Sequence, residues 1–383
     1  MKKVAILGAT GSIGASALAV LAQHPDRYRP SVLTAHSNVE ALEALVRQWK
    51  PELAVVADAA EQPPRHEGGT TWMYGRKALL EVAADPRNDI VLNALVGAAG
   101  LEPTLAALRA GKRVALANKE SLVCGGELVL EAAASGGGEL IPVDSEHSAI
   151  HQCLRCGRRE EVARLILTAS GGPFRGFSRS ELERVKPVDA LRHPTWDMGA
   201  KVTIDSATLA NKALEVIEAH FLFSIGYERI GAVVHPQSII HSMVEFIDGS
   251  VMAQMGFPTM ELPIAHAFGY PERIEYRTRR FDPVAAGTLT FEPVDETLFP
   301  AFGLGVQAGR AGRGAPVVYN AANEVAVAAF LNGRISYPAI AATIGETLDR
   351  WQGADIRTVE DVIAADRWAR GTAETFIDGH VHC

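Results

Sequence analysis

The residues best suited to chemistry lie in one short stretch, where Asp144 and Glu146 follow the apolar run Leu140 to Val143. Carboxylate oxygens are the ligands that Mg²⁺ and Mn²⁺ prefer, and such sites keep positions open for substrate. Open α/β sheets bind ligands where a strand ends, which is where these carboxylates stand. Glu215 is the best candidate for a third ligand. On local evidence alone, the favoured alternative is a helix cap at Asp144 with Glu146 in an acidic first turn.

Composition excludes several classes of protein. The formal net charge is −8 and the basic residues are scattered, so we expect a small-molecule partner and no nucleic acid. No apolar stretch reaches the ~18 residues of a membrane span. Lys2 and Lys3 precede only the short apolar run Val4 to Leu7, which is too brief for a signal sequence, so we expect a cytoplasmic protein without a membrane partner. Four cysteines are too few for a disulfide framework.

A glycine-rich turn follows the first predicted strand, Lys3 to Leu7, and leads into the helical pattern Ala15 to Gln23. A turn placed in this way lets backbone N–H groups approach a pyrophosphate at a helix N-terminus. The alternative is a tight turn that binds no ligand. The predicted cofactor-binding residues of this turn are Gly8, Thr10, Gly11, Ser12, Ile13 and Gly14.

The second predicted strand, Ser31 to Ala35, ends in His36, Ser37 and Asn38. An NAD enzyme usually has an acidic residue here to bind the ribose 2′-hydroxyl, and none is present. Ser37 and Asn38 can donate hydrogen bonds to a 2′-phosphate, so the sequence favours NADP. His36 could add charge, although a solvated turn histidine is the simpler interpretation.

Strand and helix patterns keep alternating to residue 150, which predicts a doubly wound, Rossmann-like parallel sheet. Gly97 follows one later strand, and Asn118, Lys119 and Glu120 follow the next. All of them face the crevice of the first glycine turn if the sheet is doubly wound, and the last three would then lie beside the nicotinamide. For Lys119 and Glu120 the alternative is an ordinary charged first turn of a helix.

Phosphate-binding groups are predicted after residue 150. Ser170 opens a Gly-Gly-Pro loop whose N–H groups could bind an anion, although a plain turn would need no ligand. Asp205 to Glu218 is a long helical pattern that carries Ser206 near its amino end and then Asn211 and Lys212. Directed donors, one formal charge and a helix dipole suit a phosphate. The alternative is a surface ion pair between Lys212 and Glu215.

The segment His193 to Gly199 is bounded by Pro and Gly, yet it carries Trp196 and Met198. A mobile lid that closes on a substrate would explain these apolar groups in a loop. The alternative is that Trp196 packs permanently in the core.

The rest of the chain contributes mainly architecture. Two alternating runs around Asp248 and Gly249 predict an antiparallel hairpin in a second sheet, which could form an oligomer surface. Four helical patterns from residue 301 predict a small bundle without obvious chemistry. We therefore predict an α/β protein with an NADP-binding domain at 1–150, a central α+β catalytic domain at 151–270 that binds metal and substrate, a linker at 271–300 and a C-terminal helical bundle at 301–383.

Six motifs in order closely resemble the 1-deoxy-D-xylulose 5-phosphate reductoisomerase family: Gly8 to Gly14, Ala117 to Ser121, Val143 to His147, Ser170 to Phe174, His193 to Trp196 and Asn211 to Glu215. The resemblance covers nearly the whole chain. It implies an NADPH-dependent enzyme with one Mg²⁺ or Mn²⁺ per chain that makes 2-C-methyl-D-erythritol 4-phosphate in non-mevalonate isoprenoid synthesis. It also implies a homodimer.

The resemblance also implies roles for single residues. The metal ligands are Asp144, Glu146 and Glu215; the substrate contacts are Ser145, Ser170, His193, Trp196, Met198, Ser206, Asn211 and Lys212; the catalytic residues are Lys119, Glu146 and His193. Trp196 and Met198 belong to the lid. The family often has a Gly-Lys pair where this chain has His36 and Ser37, so the details of 2′-phosphate recognition stay open while the NADP preference stands.

Two other functions are compatible with the same residues. The first is a metal-assisted, NADP-dependent dehydrogenase of another phosphorylated hydroxy acid or ketose, which would not rearrange the carbon skeleton. The second is a non-catalytic NADP-sensing protein that retains the fold. Three suitably spaced carboxylates argue against the sensor.

Overall fold

The structure, a computed structural model, describes residues 1–192, 199–277 and 279–381. Contacts between residues divide the chain into two compact units. The first comprises Met1–Leu122, Gly126–Ser148 and Thr259–Arg279, and the second comprises Val123–Gly125, Ala149–Pro258 and Arg280–Cys383. The four functional domains expected from the sequence are a different kind of division, and their boundaries stay predictions.

The first unit is built on one large sheet. Its strands are Lys2–Leu7 (β1), Tyr28–Ala35 (β2), Leu53–Val56 (β3), Arg65–Glu67 (β4), Thr70–Tyr74 (β5), Ile90–Asn93 (β6), Arg113–Leu116 (β7) and Glu139–Pro142 (β8). They lie in the order β4-β5-β3-β2-β1-β6-β7-β8, and every pair is parallel except β4 with β5. Such strands are covered on both faces, which is why β1 is a continuous apolar run whose residues Val4 to Leu7 are fully buried.

The strand order reverses at β1, since β2 lies on one side of it and β6 on the other. Open α/β sheets bind ligands at such a switch point, outside the carboxyl ends of the strands. The glycine turn after β1 therefore stands at the expected place, and the predicted doubly wound sheet is confirmed.

Helices make up most of the remaining regular structure. They are Ser12–Gln23 (α1), Val39–Trp49 (α2), Gly75–Ala84 (α3), Leu101–Arg109 (α4), Glu120–Gly136 (α5), Ser145–Cys153 (α6), Arg179–Leu182 (α7), Pro187–Ala190 (α8), Ala200–Ala207 (α9), Ala210–Phe223 (α10), Glu261–Gly269 (α11), Pro283–Ala286 (α12), Pro300–Ala311 (α13), Ala315–Leu331 (α14), Tyr337–Asp349 (α15) and Val359–Val381 (α16). No helix of the described chain is long and apolar enough to cross a membrane.

A second sheet lies in the second unit. Its strands are Val162–Ala169 (β9), Ile230–Val234 (β10), Ile240–Phe246 (β11), Val251–Met255 (β12) and Glu292–Pro293 (β13), in the order β12-β11-β9-β10-β13. The predicted hairpin is confirmed, because β11 and β12 pair antiparallel around a turn in which Gly249 has φ +84°. Strand β13 and helix α12 both lie in the segment predicted as a linker.

The helical pattern at 205–218 is two helices, so the prediction of one long helix was wrong. Leu209 adopts a left-handed conformation, φ +59°, which ends α9 and starts α10 in a new direction. The hydroxyl of Thr208 accepts the N–H of Ala210 at 3.3 Å and so caps the start of α10. Ser206 consequently lies in the last turn of α9, whereas Asn211 lies in the first turn of α10.

The C-terminal region is helical as predicted. Helices α13 to α16 pack on one another, and α14 contacts both α15 and α16. Helix α14 is apolar and buried over most of its length, including Val318, Tyr319 and Phe330. Helix α9 also contacts α14, so the bundle directly supports the helix that carries Ser206.

Candidate active site

The turn after β1 requires glycine at two positions. Gly8 has φ +89°, and a Cβ built on it would lie 2.7 Å from the carbonyl oxygen of Ala94. A Cβ on Gly14 would lie 2.5 Å from the carbonyl oxygen of Ala9. Gly11 precedes α1 in extended conformation, and the first turn of α1 has no acidic residue. The first turn of α1 thus adds no negative charge of its own to its amide groups, which suits binding of a pyrophosphate.

The end of β2 carries three exposed polar residues, as expected. The side-chain oxygen of Asn38 accepts the N–H of Ala41 at 3.0 Å and caps α2. The amide nitrogen of Asn38 remains the group that could donate to a phosphate. His36 Nε2 lies 3.5 Å from a carboxylate oxygen of Asp58, and both side chains are well exposed. Asp58 therefore adds a negative charge next to the predicted 2′-phosphate position.

The turns after β6 and β7 are held together by Asn118, which is 1% exposed. Its Nδ2 donates to the carbonyl oxygens of Leu95 at 3.0 Å and Gly97 at 2.9 Å, and to the Glu120 carboxylate at 3.0 Å. Its Oδ1 accepts the N–H of Ser121 at 3.0 Å. The contacts of Asn118 and Glu120 thus organise the carboxyl edge of the sheet, and their predicted contact with the cofactor remains a prediction.

The acidic stretch lies between β8 and α6. Lys119 Nζ donates to Asp144 Oδ2 at 2.8 Å, and His147 Nδ1 lies 3.3 Å from Asp144 Oδ1. The N–H of Glu146 donates to the Asp144 carboxylate at 3.3 Å, so Asp144 does make the cap contact of the alternative interpretation. The hydroxyl of Ser145 donates to Glu146. A carboxylate has about four acceptor positions, so the cap does not exclude a metal ligand.

The loop after β9 lies against the end of α9. Gly171 and Gly172 both have positive φ, +86° and +67°. The N–H of Gly172 donates to the hydroxyl of Ser170 at 3.2 Å. A Cβ on Gly172 would lie 2.8 Å from the carbonyl oxygen of Ser206. The structure therefore brings the Ser170 loop and Ser206 together, as the prediction of a phosphate site requires.

The first two turns of α10 carry three polar side chains that contact one another. Asn211 Nδ2 and Lys212 Nζ both donate to the carboxylate of Glu215. Lys212 is 4% exposed and Glu215 is 1% exposed, so the alternative of a surface ion pair is wrong. Burying two charges is costly unless they are paired, so these two groups are held together inside the protein.

The predicted lid and the histidine before it, His193, Trp196 and Met198, lie outside the described residues.

Comparison with known proteins extends this picture. Three models of the family match the chain: 1-deoxy-D-xylulose 5-phosphate reductoisomerase at residues 4–126, its C-terminal domain at 140–223, and the DXP reductoisomerase C-terminal domain at 255–372. The reductoisomerase of Nocardia farcinica is 53% identical over 98% of this chain and 94% of its own length. The reductoisomerase of Xanthomonas campestris pv. campestris (strain B100) is 51% identical over 99% of this chain and 98% of its own length.

The chain belongs to the 1-deoxy-D-xylulose 5-phosphate reductoisomerase family. Solved structures agree with the sequence comparison. The Zymomonas mobilis reductoisomerase in complex with NADPH is 43% identical, covers 98% of this chain and 99% of its own, and superposes with a TM-score of 0.91. A reductoisomerase in complex with NADPH, fosmidomycin and magnesium is 39% identical. It covers 99% of this chain and 98% of its own, with a TM-score of 0.90. The predicted family and fold class are confirmed.

Two histidines of this reductoisomerase family member were not singled out from the sequence. Burial lowers the pKa of His241 to about 4, and hydrogen bonds to the backbone of Gly256 and Phe257 offset this only in part. His235 accepts the N–H of Ile239 at 3.2 Å through Nε2, so its Nδ1–H donates to the carbonyl oxygen of Thr290 at 2.8 Å. The first is a neutral ring and the second is a structural residue. The alternating pattern of β11 could have indicated that His241 faces inward.

Asp205 and Asn323 were also missed. Asp205 is 1% exposed and pairs with Lys201 at 2.9 Å, and Asn323 Nδ2 donates to its carboxylate at 2.8 Å. The sequence offered one signal, because Asn320 and Asn323 are amides in an otherwise apolar helical pattern, where Asn is a poor helix former.

Proposed function

We propose that the residues described above carry out the reaction of the reductoisomerase family in the roles that follow. Membership of the family makes this chain an NADPH- and divalent-metal-dependent enzyme that rearranges and reduces 1-deoxy-D-xylulose 5-phosphate to 2-C-methyl-D-erythritol 4-phosphate, in isoprenoid biosynthesis. The observation that carries the assignment of roles is the contact of Asn211 with the buried pair Lys212 and Glu215 at the start of α10.

The glycine turn after β1 would hold the pyrophosphate of NADPH through the first amides of α1. The positive φ of Gly8 and the close approach at Gly14 support this role, since both let the backbone come near a ligand or a neighbouring strand. Ser37 and Asn38 would donate to the 2′-phosphate. Gly97, Asn118, Lys119 and Glu120 would line the nicotinamide end.

Three carboxylates, Asp144, Glu146 and Glu215, would hold one Mg²⁺ or Mn²⁺. All three offer hard oxygen atoms, which fits these ions. The positive charge of Lys119 on Asp144 offsets part of the negative charge of the set. When bound, a divalent ion supplies Lewis acidity toward the carbonyl and hydroxyl oxygens of the sugar, and NADPH supplies the hydride.

The substrate phosphate would bind to Ser170, Ser206, Asn211 and Lys212. Two hydroxyls, an amide and an ammonium group provide directed donors and one charge, and the N-terminus of α10 adds its dipole. Binding of this remote group would supply the energy to order the catalytic groups. Ser145 and His193 would contact the sugar, and Trp196 and Met198 would exclude water from the aldehyde intermediate. Lys119 would lie near the reacting carbon atoms.

Glu215→Gln tests the ligand assignment. We expect turnover to fall by about a thousandfold or more and metal affinity to weaken, with NADPH affinity nearly unchanged, because one negatively charged ligand is lost. Glu228→Gln is the matched control, since Glu228 is an exposed glutamate on the next segment. Normal turnover of Glu215→Gln would reject the assignment.

Product analysis separates the alternatives. NADPH oxidation that depends on 1-deoxy-D-xylulose 5-phosphate and Mg²⁺, with the branched carbon skeleton in the product, supports the reductoisomerase. Reduction without the branched skeleton would indicate a simple dehydrogenase. NADPH binding without turnover would indicate the sensor.

A homodimer is our proposal for the assembly. Strand β12 is the edge of the second sheet, and it exposes Val251, Met252 and Met255 by 47%, 38% and 39%. An exposed apolar edge strand is a template for pairing with another chain. Sedimentation should show a dimer that Met252→Lys weakens, whereas Val284→Lys on α12 should have no effect. A monomeric wild-type chain would contradict the proposal. The cytoplasmic location stays a prediction.

A further inference from the structure

Helix α14 contains two buried amides with different partners. Asn320 and Asn323 are both fully buried. Asn320 Nδ2 donates to Glu324 at 3.1 Å, within the same helix. Asn323 Nδ2 instead donates to the carboxylate of Asp205 at 2.8 Å, across 118 positions of the chain. One amide therefore serves α14 itself, while the other links the C-terminal bundle to α9.

Asp205 is the residue immediately before Ser206. Its carboxylate is 1% exposed and makes an ion pair with Lys201 one turn earlier in α9. A buried carboxylate keeps a fixed position only when its oxygen atoms have donors. The Asn323 amide supplies a neutral donor from a different helix, so the orientation of the last turn of α9 depends on α14.

A second hydrogen bond from the C-terminal bundle reaches the next residue. Tyr337 Oη of α15 donates to the carbonyl oxygen of Ala207 at 2.7 Å. This carbonyl lies at the end of α9, where a helix leaves its last carbonyl groups without partners in the helix. The Tyr337 ring also packs edge-on against Phe174 with centroids 5.1 Å apart, and Phe174 belongs to the Ser170 loop.

These contacts surround the break between α9 and α10. The left-handed Leu209 follows the residues held by Asn323 and Tyr337, and Asn211 and Lys212 follow Leu209. Gly172 packs against the carbonyl oxygen of Ser206 from the other side. The last turn of α9, which carries Ser206, is thus hydrogen-bonded from α14 and α15 just before the chain turns into α10.

We propose that Asn323 and Tyr337 are positioning residues that preset the phosphate-binding geometry of Ser206 and the start of α10. This inference rests on the proposed phosphate role of Ser206, Asn211 and Lys212. It assigns to the C-terminal bundle a function in substrate affinity that its apolar sequence did not suggest. The bundle would act on the sugar phosphate and not on the cofactor, because both hydrogen bonds lie in the second unit.

The test compares two matched pairs of variants. Asn323→Ala and Tyr337→Phe each remove one hydrogen bond to α9. Asn320→Ala and Tyr28→Phe are the controls, since the Asn320 amide donates within its own helix and Tyr28 Oη donates to the carbonyl oxygen of Phe268 in the first unit. The KM for 1-deoxy-D-xylulose 5-phosphate should rise about tenfold or more in Asn323→Ala and about threefold in Tyr337→Phe, with kcat and the KM for NADPH changing less than about twofold.

Binding of inorganic phosphate, measured by calorimetry, makes the result independent of turnover. Phosphate should bind more weakly to Asn323→Ala than to Asn320→Ala. If wild-type chain fails to turn over the sugar phosphate but this difference persists, the proposed function fails and the positioning role stands. Equal KM and equal phosphate affinity in the test and control variants would overturn the inference, as would a loss confined to thermal stability. Tyr337→Phe keeps the test valid if Asn323→Ala does not fold.

Discussion

The two anion-binding regions of this protein obtain their geometry in different ways. The turn after β1 is shaped by close approaches between backbone segments, because Gly8 and Gly14 have no room for a side chain against the backbone of Ala94 and Ala9. The segment around Ser206 is shaped by side chains that come from helices more than a hundred residues later. The first region is therefore sensitive to a side chain added at either of these glycines. The second can be altered from the C-terminal bundle.

This difference has a physical basis in the ligands that each region would hold. A pyrophosphate is bound by consecutive backbone amides, so close approach of the main chain is decisive and glycine is required. The proposed sugar-phosphate site relies mainly on side-chain donors, and such side chains need packed neighbours to keep a fixed direction.

Substitution of Gly8 should have the largest effect. Gly8→Ala places a Cβ 2.7 Å from a backbone oxygen at φ +89°, so the turn must move. We expect NADPH affinity to fall by about a hundredfold or more, with phosphate affinity of the second unit retained. Fluorescence titration with NADPH measures the NADPH affinity, and calorimetry with inorganic phosphate measures the phosphate affinity.

Gly11→Ala is the control for this prediction, because Gly11 has negative φ and its nearest neighbouring atom lies 3.5 Å from the new Cβ. It should weaken NADPH binding far less. Equal losses in the two variants would show that the turn is sensitive to any added side chain, and the backbone argument would fail.

His241 makes the stability of the second region depend on pH. Burial lowers its pKa to about 4, and the positive charge of Lys212 and the nearby His235 act in the same direction. In the unfolded chain His241 binds a proton near pH 6.5. The contribution of the neutral ring to the free energy of unfolding is therefore fully present above about pH 6.5 and is lost as the pH falls toward 4. The loss reaches about 3 kcal/mol at the lower limit.

His241→Gln should remove this part of the pH dependence. Hydrogen exchange of the amides in β11, measured between pH 4 and 7 and corrected for the intrinsic rate, should show a smaller decrease in stability at low pH in the variant than in wild-type chain. The amides of β1 serve as the internal control. Parallel curves for the two proteins in β11 would mean that His241 is protonated without cost in the native state.

Ser206→Ala probes the supported segment itself. It removes one hydroxyl donor and leaves Asp205, Asn323 and Tyr337 in place, so the KM for the sugar phosphate should rise about tenfold without loss of stability. Steady-state kinetics and thermal unfolding measure the two quantities. Ser180→Ala, at an exposed serine of α7, is the control. A change in the KM for NADPH of the same size would place Ser206 outside the phosphate site.

The same contrast explains which features the sequence predicted. The strand, turn and helix around Gly8 were predicted because the signal is local: an apolar run, spaced glycines and a helical period stand side by side. The hairpin at Asp248 and Gly249 was predicted for the same reason. The doubly wound sheet was predicted because strand and helix patterns alternate along the first 150 residues.

The features that the sequence did not predict depend on contacts between distant residues. Leu209 is apolar and carries no local signal for a left-handed conformation, so the break between α9 and α10 is imposed by the packing around it. The burial of the Lys212 and Glu215 pair and the bond from Asn323 to Asp205 likewise follow from the tertiary structure. The spacing of the amides in α14 was the one sequence signal for the last of these.

The smallest predicted effect concerns the open end of β2. Asp58 lies 3.5 Å from His36 beside the predicted 2′-phosphate position, and both groups are exposed. Asp58→Asn removes a repulsive charge, so the KM for NADPH should fall about two- to threefold at low salt, and the difference should vanish at high ionic strength. The KM for NADH should not change, because NADH has no 2′-phosphate.

Asp26→Asn removes an equal exposed charge before the other end of β2 and should have no effect. An unchanged KM for NADPH in Asp58→Asn would place the 2′-phosphate away from Ser37 and Asn38, and the backbone turn at Gly8 would then be the part of the nucleotide site that the sequence located.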